Sequence, residues 1–550
     1  MEEQYLASID LGTSKLGLCV ARVKGDDVQV VYYKETPSAG IRGSVVANPM
    51  KASVPLKKAI REAEEELMIR IQQVVVGMPR SDVRQETATG SIVRPSPDEY
   101  ITEEEVGNLK AMALESYPLD DPESQIMYGA VAQSFSIDDQ IQLVESDVVG
   151  TLSRKLEGNF KVFIGSRRAT AAVDKIFNAM GVDIAKKYFL PDVVARAVLS
   201  EEERQGGVAL VDIGAGVTSV AVYQGGIMRS YDAIPFAGKV ITGDIRTECA
   251  IPEDLAEKIK LKFGACMPGK LASLSEKILQ IRLTEPFKEI PVKYVSEIID
   301  ARCREIINAV LFYIQETGLA NNLRGGIVLT GGGASLVNLA NLFKEISGYE
   351  VRIGFPRHLF STSVGAGVYE PSATAAIGMV LAAKDDRMPD CATRSESFWM
   401  DRIVEERTGE PFRGFVPETD ASPAAETPAV PEAGEPAFTG PGTVDNMPFF
   451  VPDSSFEQGR QGTLIPEEEY APAPEVKPEK TERPRKKAVK KEKKPAAEPS
   501  KPRMTWMKGL GEKIVSGMLD LYDEITKEEG TPAAPQTNEE ETGNGTRNEL

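Results

Sequence analysis

The chain has 550 residues, room for three or four domains at roughly 100–200 residues each, and its 64 Lys+Arg against 83 Asp+Glu leave a net charge of −19. That acidity argues against general nucleic-acid binding. One histidine, His358, argues against a His-based metal cluster, a Ser-His-Asp triad or a Cys-His dyad, and five scattered cysteines with no CxxC pair argue against a zinc site or a disulfide framework. The expected compartment is the reduced cytoplasm. The opening MEEQYLASIDLG has no secretory pattern, and no apolar run reaches the 18 or so residues a membrane span needs, so any membrane would be met from one side.

In chain order, residues 8–23 read as two short strands joined by a glycine turn. Apolar runs at 73–77, 162–165, 208–213 and 327–330 read as buried strands. Helical patterns at 54–70, 101–116, 169–180 and 292–318 fall between them. The alternation predicts an α/β fold. Residues from about 82 to 161 combine strands with a Glu-rich helix and read as a small inserted α+β subdomain.

Composition shifts near residue 387. Residues 411–503 hold 17 of the 36 prolines and are rich in Ala, Glu and Lys. Such a stretch cannot bury enough apolar surface to offset ordering entropy, and 387–503 is expected to be a disordered linker. Its basic part, 475–503, has 12 Lys/Arg against 5 Glu but no interleaved aromatics, so a solvated linker is preferred to a nucleic-acid patch. Residues 504–528 differ: Met507, Leu510, Ile514, Met518, Leu521 and Ile525 step by three or four and stripe one helix face. Gly509, Gly511 and Gly517 weaken that helix in water by about 1 kcal/mol each, so it needs a surface to fold against. Trp506 suits the headgroup zone, and Arg503, Lys508 and Lys513 suit anionic lipid. The expected element is an interfacial membrane-targeting helix, weak as a single anchor, followed by a disordered tail at 529–550.

Three glycine-rich segments carry the chemistry. In 8-SIDLGTSKLG-17 a strand delivers Asp10 to a turn at Gly12, Thr13, Ser14 and Lys15. Glycine admits phosphate to backbone N–H groups, the hydroxyls donate, and the lysine adds charge. The segment 208-VALVDIGAGVTSV-220 repeats the layout with Asp212 and the turn Gly214, Ala215, Gly216. One such hairpin is commonplace; two imply a duplicated phosphate clamp, with Asp10 and Asp212 on one Mg²⁺ through water. The third, 325-GGIVLTGGGASLV-337, ends a strand at Gly331, Gly332 and Gly333, where a flat purine could lie against backbone, with a helix starting near Ala334 and Ser335.

Together, in this order, the three segments resemble the actin-like ATPase superfamily and, within it, the FtsA family of bacterial cell division proteins. The resemblance covers residues 5 to about 384. It is strengthened by the stretches 37-PSAGIRGSVVAN-48, 74-VVVGMPRSDVRQETATGSI-92, 226-GIMRSYDAIPFAGKVITGDI-245, 251-IPEDLAEKIKLKFGAC-266 and 348-GYEVRIGFP-356, and by the linker and terminal helix. It implies a two-domain actin-like fold of duplicated ribonuclease-H-like sheets. The first domain is 1–205, and the second is 206–386, with an outer subdomain at about 241–320 and residues about 365–386 returning to the first domain. It implies ATP and Mg as cofactors, with phosphate contacts from Gly12, Thr13, Ser14, Lys15, Asp212, Gly214, Ala215 and Gly216. Glu257 and Lys260 match the family's helix beside ribose and adenine, and Gly331, Gly332, Gly333 and Ala334 its adenosine loop. It also implies self-association into filaments through the insert, contacts with later division proteins, and binding of the FtsZ C-terminal tail to the outer subdomain. There the helical stretch 292–314 offers Arg302 and Arg304 to acidic groups of that tail. The site of action would be the cytoplasmic face of the cell membrane, at the division site.

One departure stands out. The family's Asp-Ile-Gly-Gly-Gly-Thr-x-Asp here reads Asp212-Ile213-Gly214-Ala215-Gly216-Val217-Thr218-Ser219. A valine methyl cannot orient an attacking water, and Thr218 belongs to the opposite strand face. The expectation is ATP binding with slow or absent hydrolysis. A pilus-type actin-like membrane adaptor and a sugar-kinase-like phosphotransferase are the competing readings on the same fold.

Overall fold

Runs such as Val208–Ile213, buried along their whole length, form strands because covering helices leave neither face to water. In the computed structural model, which describes residues 3–138, 140–271, 276–281 and 288–394, such runs centre two sheets. In the first, Gln4–Leu11, Lys15–Lys24 and Asp27–Pro37 form an antiparallel meander, and Gln73–Gly77 then Asp183–Tyr188 add in parallel beyond the first strand. In the second, Val208–Ile213, Thr218–Gln224 and Ile227–Ile234 form the meander, and Ile327–Thr330 then Val351–Ile353 add in parallel. Counted in each sheet's own chain order, both run 3-2-1-4-5; Ser361–Thr362 extends the first sheet alone. This is the duplicated, actin-like architecture expected from the sequence.

Helix limits follow local chemistry. The helix expected at 54–70 is Pro49–Leu67: Asn48 caps it by accepting from the Lys51 amide, Pro49 fits its first turn, and Met68 ends it in the left-handed region. The helix expected near Ala334 begins at Leu339, because the backbone of 336–337 is drawn aside. The Val337 carbonyl accepts from the Cys266 amide at 2.8 Å, leaving only a short 3₁₀ turn over Gly332–Ser335. The helix Thr374–Asp385, apolar all round, is buried against Gln4–Leu11 and Leu190–Val198. Ser8 Oγ donates to the Ala376 carbonyl at 2.8 Å.

The chain does not leave the fold at 387. The Tyr5 amide donates to Asp390, the Cys391 amide to the Tyr5 carbonyl, and Ala392–Arg394 pairs with Ile69–Ile71. Those bonds outweigh a composition that reads as linker. The remaining linker, the 504–528 segment and the tail lie outside the described residues.

Between Gln73–Gly77 and the helix Arg167–Met180 runs a separate antiparallel sheet, ordered Gln140–Leu143, Gln125–Ile137, Lys155–Ser166, Arg84–Val93. The helix Glu103–Glu115 covers it, opened by a capping box of Thr102 and Glu105. Its own core holds Leu109, Phe135, Leu156 and Phe160. Though it leaves the chain between first-domain strands, this sheet bonds to the second domain. Gln133 Nε2 donates to the Met228 carbonyl at 2.9 Å, Lys161 Nζ to the Arg229 carbonyl at 2.6 Å, and Gln85 Oε1 accepts from the Tyr231 amide at 3.2 Å.

Candidate functional site

Each meander's first strand ends in an aspartate and a turn of small residues, and the equal sheet orders bring the two turns together. A Cβ added to Gly216 would lie 2.7 Å from Thr13 Oγ1 and 3.2 Å from the Gly43 Cα, so only glycine lets the turns approach this closely. The 37–48 stretch supports the first turn. Ser38 Oγ donates to the Thr13 carbonyl at 2.8 Å, the Ser38 amide to the Ser14 carbonyl at 3.0 Å, and the Ser44 amide to Thr13 Oγ1 at 3.0 Å. The helix Gly238–Glu248 supports the second, its Gly238 and Lys239 amides donating to the Gly214 and Ala215 carbonyls at 3.1 and 2.7 Å. The third segment closes the group. Gly331 packs on Asp212 and the Ile213 carbonyl, Gly333 on Ile213, and a Cβ on Gly332 would lie 3.9 Å from Lys15 Nζ. Ala334 is fully buried below them. Segments some 100 to 320 residues apart in sequence thus meet in one cleft between the two sheets.

Lys15 forms an ion pair with Glu35 at 2.7 Å, and Glu35 also accepts from Tyr33 Oη at 2.8 Å and Ser372 Oγ at 2.7 Å. Burial alone would raise the Glu35 pKa, but Lys15 and the two hydroxyls outweigh it and hold the carboxyl below the usual range. The stabilisation is therefore present above the unfolded value of about 4.3 and is lost as pH falls through the lower folded value. Glu35→Gln should melt below wild type at neutral pH, and the gap should close through that acid window. A gap independent of pH would show the carboxylate contributes nothing through its charge.

Lys260 Nζ donates to the Gly238 carbonyl, Thr242 Oγ1 and Glu257, each at 2.8 Å. Glu257 also accepts from the Thr242 hydroxyl. Burial pulls the Lys260 pKa down. Two of these bonds cross to Gly238–Glu248 and fasten Glu253–Phe263 to the helix behind the second turn, which makes Lys260 a positioning residue for Gly214 and Ala215. Val217 is 4% exposed, and the Thr218 hydroxyl donates to the Phe236 carbonyl at 3.0 Å.

The arginines expected to meet a partner's carboxylates are engaged within the chain. Arg302 makes a bidentate pair with Asp244 at 2.7 and 3.0 Å and reaches Glu305 at 2.6 Å; Arg304 pairs with Asp300 at 2.7 Å. The groove beside Arg302 is lined by Asp244, Glu248, Glu297 and Glu305 with Tyr294, so it carries net negative charge.

Arg80, which sequence reasoning left unassigned, also lies at this site. It follows Gln73–Gly77, and its Nη2 lies 3.5 Å from Asp10 Oδ1 and 3.5 Å from Asp212 Oδ2. Its amide donates to Ser44 Oγ at 3.1 Å, and its carbonyl accepts from Tyr231 Oη at 2.7 Å. Burial opposes its charge, but Asp10 and Asp212 outweigh burial and keep the guanidinium protonated. Burial raises the Asp212 pKa in spite of Arg80. The available signal was its position: a charge just past the carboxyl end of a parallel strand, where α/β sheets hold ligands.

These residues fit a nucleotide in kind: two closely opposed turns, the hydroxyls of Thr13 and Ser14, and a lysine. The Arg80 guanidinium, 3.5 Å from both Asp10 and Asp212, does not fit a Mg²⁺ ligated directly between those carboxylates. Among the described residues no group of three or more His, Cys, Asp or Glu side chains is placed to hold a metal ion. Nor, among them, is any helix long and apolar enough to cross a membrane.

A family model described as cell division protein FtsA matches residues 209–378. Over 384 residues the chain is 30% identical to the cell division protein FtsA of Borreliella burgdorferi, covering 69% of this chain and 91% of that protein. It is 29% identical over 387 residues to that of Neisseria meningitidis, covering 70% and 91%. A solved PilM-PilN type IV pilus biogenesis complex is similar at 16% identity, with 68% of this chain and 98% of that chain covered and a TM-score of 0.47.

Proposed function

This chain belongs to the FtsA family of cell division proteins, and on that premise we propose that it binds ATP between its two domains, polymerises, and ties FtsZ filaments to the cytoplasmic face of the cell membrane. The observation that carries the nucleotide reading is the meeting of the turns at 12–15, 214–216 and 331–334 in one cleft. Small residues there admit phosphate and purine, and Lys15 stands beside the loop of the third segment. Glu257 and Lys260 hold the second turn in position from behind.

Val217 and the spent hydroxyl of Thr218 support slow turnover, since neither can orient a water for attack. ATP then acts as a clamp that biases assembly. Domains at 1–205 and 206–386 supply the clamp, the insert supplies filament contacts and a surface for later division proteins, and the outer subdomain takes the FtsZ tail. With Arg302 and Arg304 paired internally, the acidic groove at Asp244, Glu248, Glu297 and Glu305 favours basic and apolar residues of that tail. The terminal segment, through Trp506, Met507, Leu510, Ile514, Met518, Leu521 and Ile525, is the anchor on anionic lipid. Polymerisation makes many weak anchors bind as one.

Co-sedimentation with anionic vesicles tests this reading. FtsZ should pellet with full-length protein and remain in the supernatant when the chain is cut after Pro502. If this protein pellets and FtsZ does not, the tether reading fails and a pilus-type adaptor takes its place. Multiple-turnover phosphate release at tens per minute from pure protein would overturn slow hydrolysis.

A further inference from the structure

The disagreement between the expected metal and the residues present has its own consequence. Asp10 belongs to the first sheet and Asp212 to the second, and both are largely buried, with side chains 17% and 11% exposed. Two carboxylates held close in a site of low dielectric repel each other unless a cation lies between them. Mg²⁺ would do this with near-octahedral geometry at about 2.0–2.1 Å from oxygen, keeping several of its waters. Here the cation is a side chain. Arg80 Nη2 is equidistant from the two carboxylates, and the guanidinium is only 13% exposed.

The residue is held from both domains. Its amide is bound by Ser44, which also donates to Thr13 of the first turn. Its carbonyl is bound by Tyr231 of the second domain, whose ring stands edge-on to Phe163 and Phe189 at 6.3 and 5.1 Å. The Arg80 backbone is thus tied to both halves, and its side chain is largely buried in the cleft.

We propose that Arg80 is this chain's own cation for the cleft. It takes the position between Asp10 and Asp212 that a divalent metal would need, so the two domains close, and ATP binds, without one. The second half rests on the nucleotide reading above; the first does not.

The experiment uses the full chain, wild type and Arg80→Met, in two arms. Without nucleotide, thermal melting is followed over a MgCl₂ titration. Wild type should not respond, whereas Arg80→Met, with its carboxylate pair uncovered, should melt lower and recover as Mg²⁺ is added. In the second arm ATP affinity is measured in MgCl₂ and in EDTA. The wild-type dissociation constant should change by less than about threefold and that of Arg80→Met by more than about tenfold.

Equal Mg²⁺ stabilisation of both proteins, or none in Arg80→Met, would overturn the proposal, as would a wild-type ATP affinity that falls more than about tenfold on chelation. If neither protein binds ATP in either buffer, the nucleotide reading fails and the first arm decides the role of Arg80 alone. Should Arg80→Met not fold, Arg80→Lys serves. It keeps one charge but not the planar fork that spans two carboxylates, so it should melt below wild type and gain on addition of Mg²⁺, and no gain would overturn the proposal.

Discussion

Gly331→Ala is expected to cost about 2–6 kcal/mol and to abolish tight ATP binding. Gly331 has φ 79° and ψ 167°, a region essentially confined to glycine. Holding alanine there costs on the order of 1–3 kcal/mol. The new methyl would also sit 2.2 Å from Asp212 Oδ1 and 2.6 Å from the Ile213 carbonyl. The second obstacle is backbone inside a fully buried strand and cannot swing aside, which adds about 1–3 kcal/mol. For a domain of this size the melting temperature should fall by roughly 10 °C. Gly243→Ala is the matched control. It lies within Gly238–Glu248 with nothing near the added methyl, so it should gain about 0.5–1 kcal/mol. A Gly331→Ala protein that melts with wild type would mean that the third segment can relax, and that its contact with Asp212 does not hold the cleft together.

Phe160→Ala is expected to unfold the insert while the rest of the chain stays folded. Phe160 is fully buried, packs edge-on to Phe135 at 5.9 Å, and sits in a small core with eight buried residues among those described. Phe→Ala in a core costs about 3–5 kcal/mol, comparable to all that a core this small supplies. Limited proteolysis should cut within residues 84–166 in the variant and not in wild type. Sedimentable filaments should disappear, while ATP affinity changes less, because the insert meets the cleft residues only at second hand, through Gln85 and Phe163 against Tyr231. Filaments that pellet normally from a variant with a cleaved insert would remove the insert from the assembly reaction.

Where a single run of residues decides an element, the sequence was informative. The buried strands at 73–77, 208–213 and 327–330 follow from apolar runs ending at glycine, and the duplicated Asp-to-glycine turns pointed to two matching halves, whose turns meet. What escaped depends on partners distant in sequence. Residues 390–394 read as linker because nothing nearby says that Tyr5 and Ile69–Ile71 need them. The helix after Gly333 was placed early because its periodicity carries no trace of the Cys266 amide that draws Val337 away. Arg80 lay within a quoted stretch, but its meaning comes from Asp10, 70 residues before it, and Asp212, 132 residues after it. Likewise, Arg302 looks available on a helix surface until Asp244 is seen to hold it.

The insert is threaded through the first domain yet bonded by Gln85, Gln133 and Lys161 to the edge strand Ile227–Ile234 of the second. Any hinge motion between the domains must either break these bonds or swing the insert as a lever arm with its fulcrum near Tyr231. A small change of angle at the cleft then becomes a larger displacement of the insert's outer surface, where Val93, Tyr100 and Leu152 are exposed. A subunit of this design would report the state of its cleft to its neighbour as a change of shape, and a filament could transmit that report along its length mechanically.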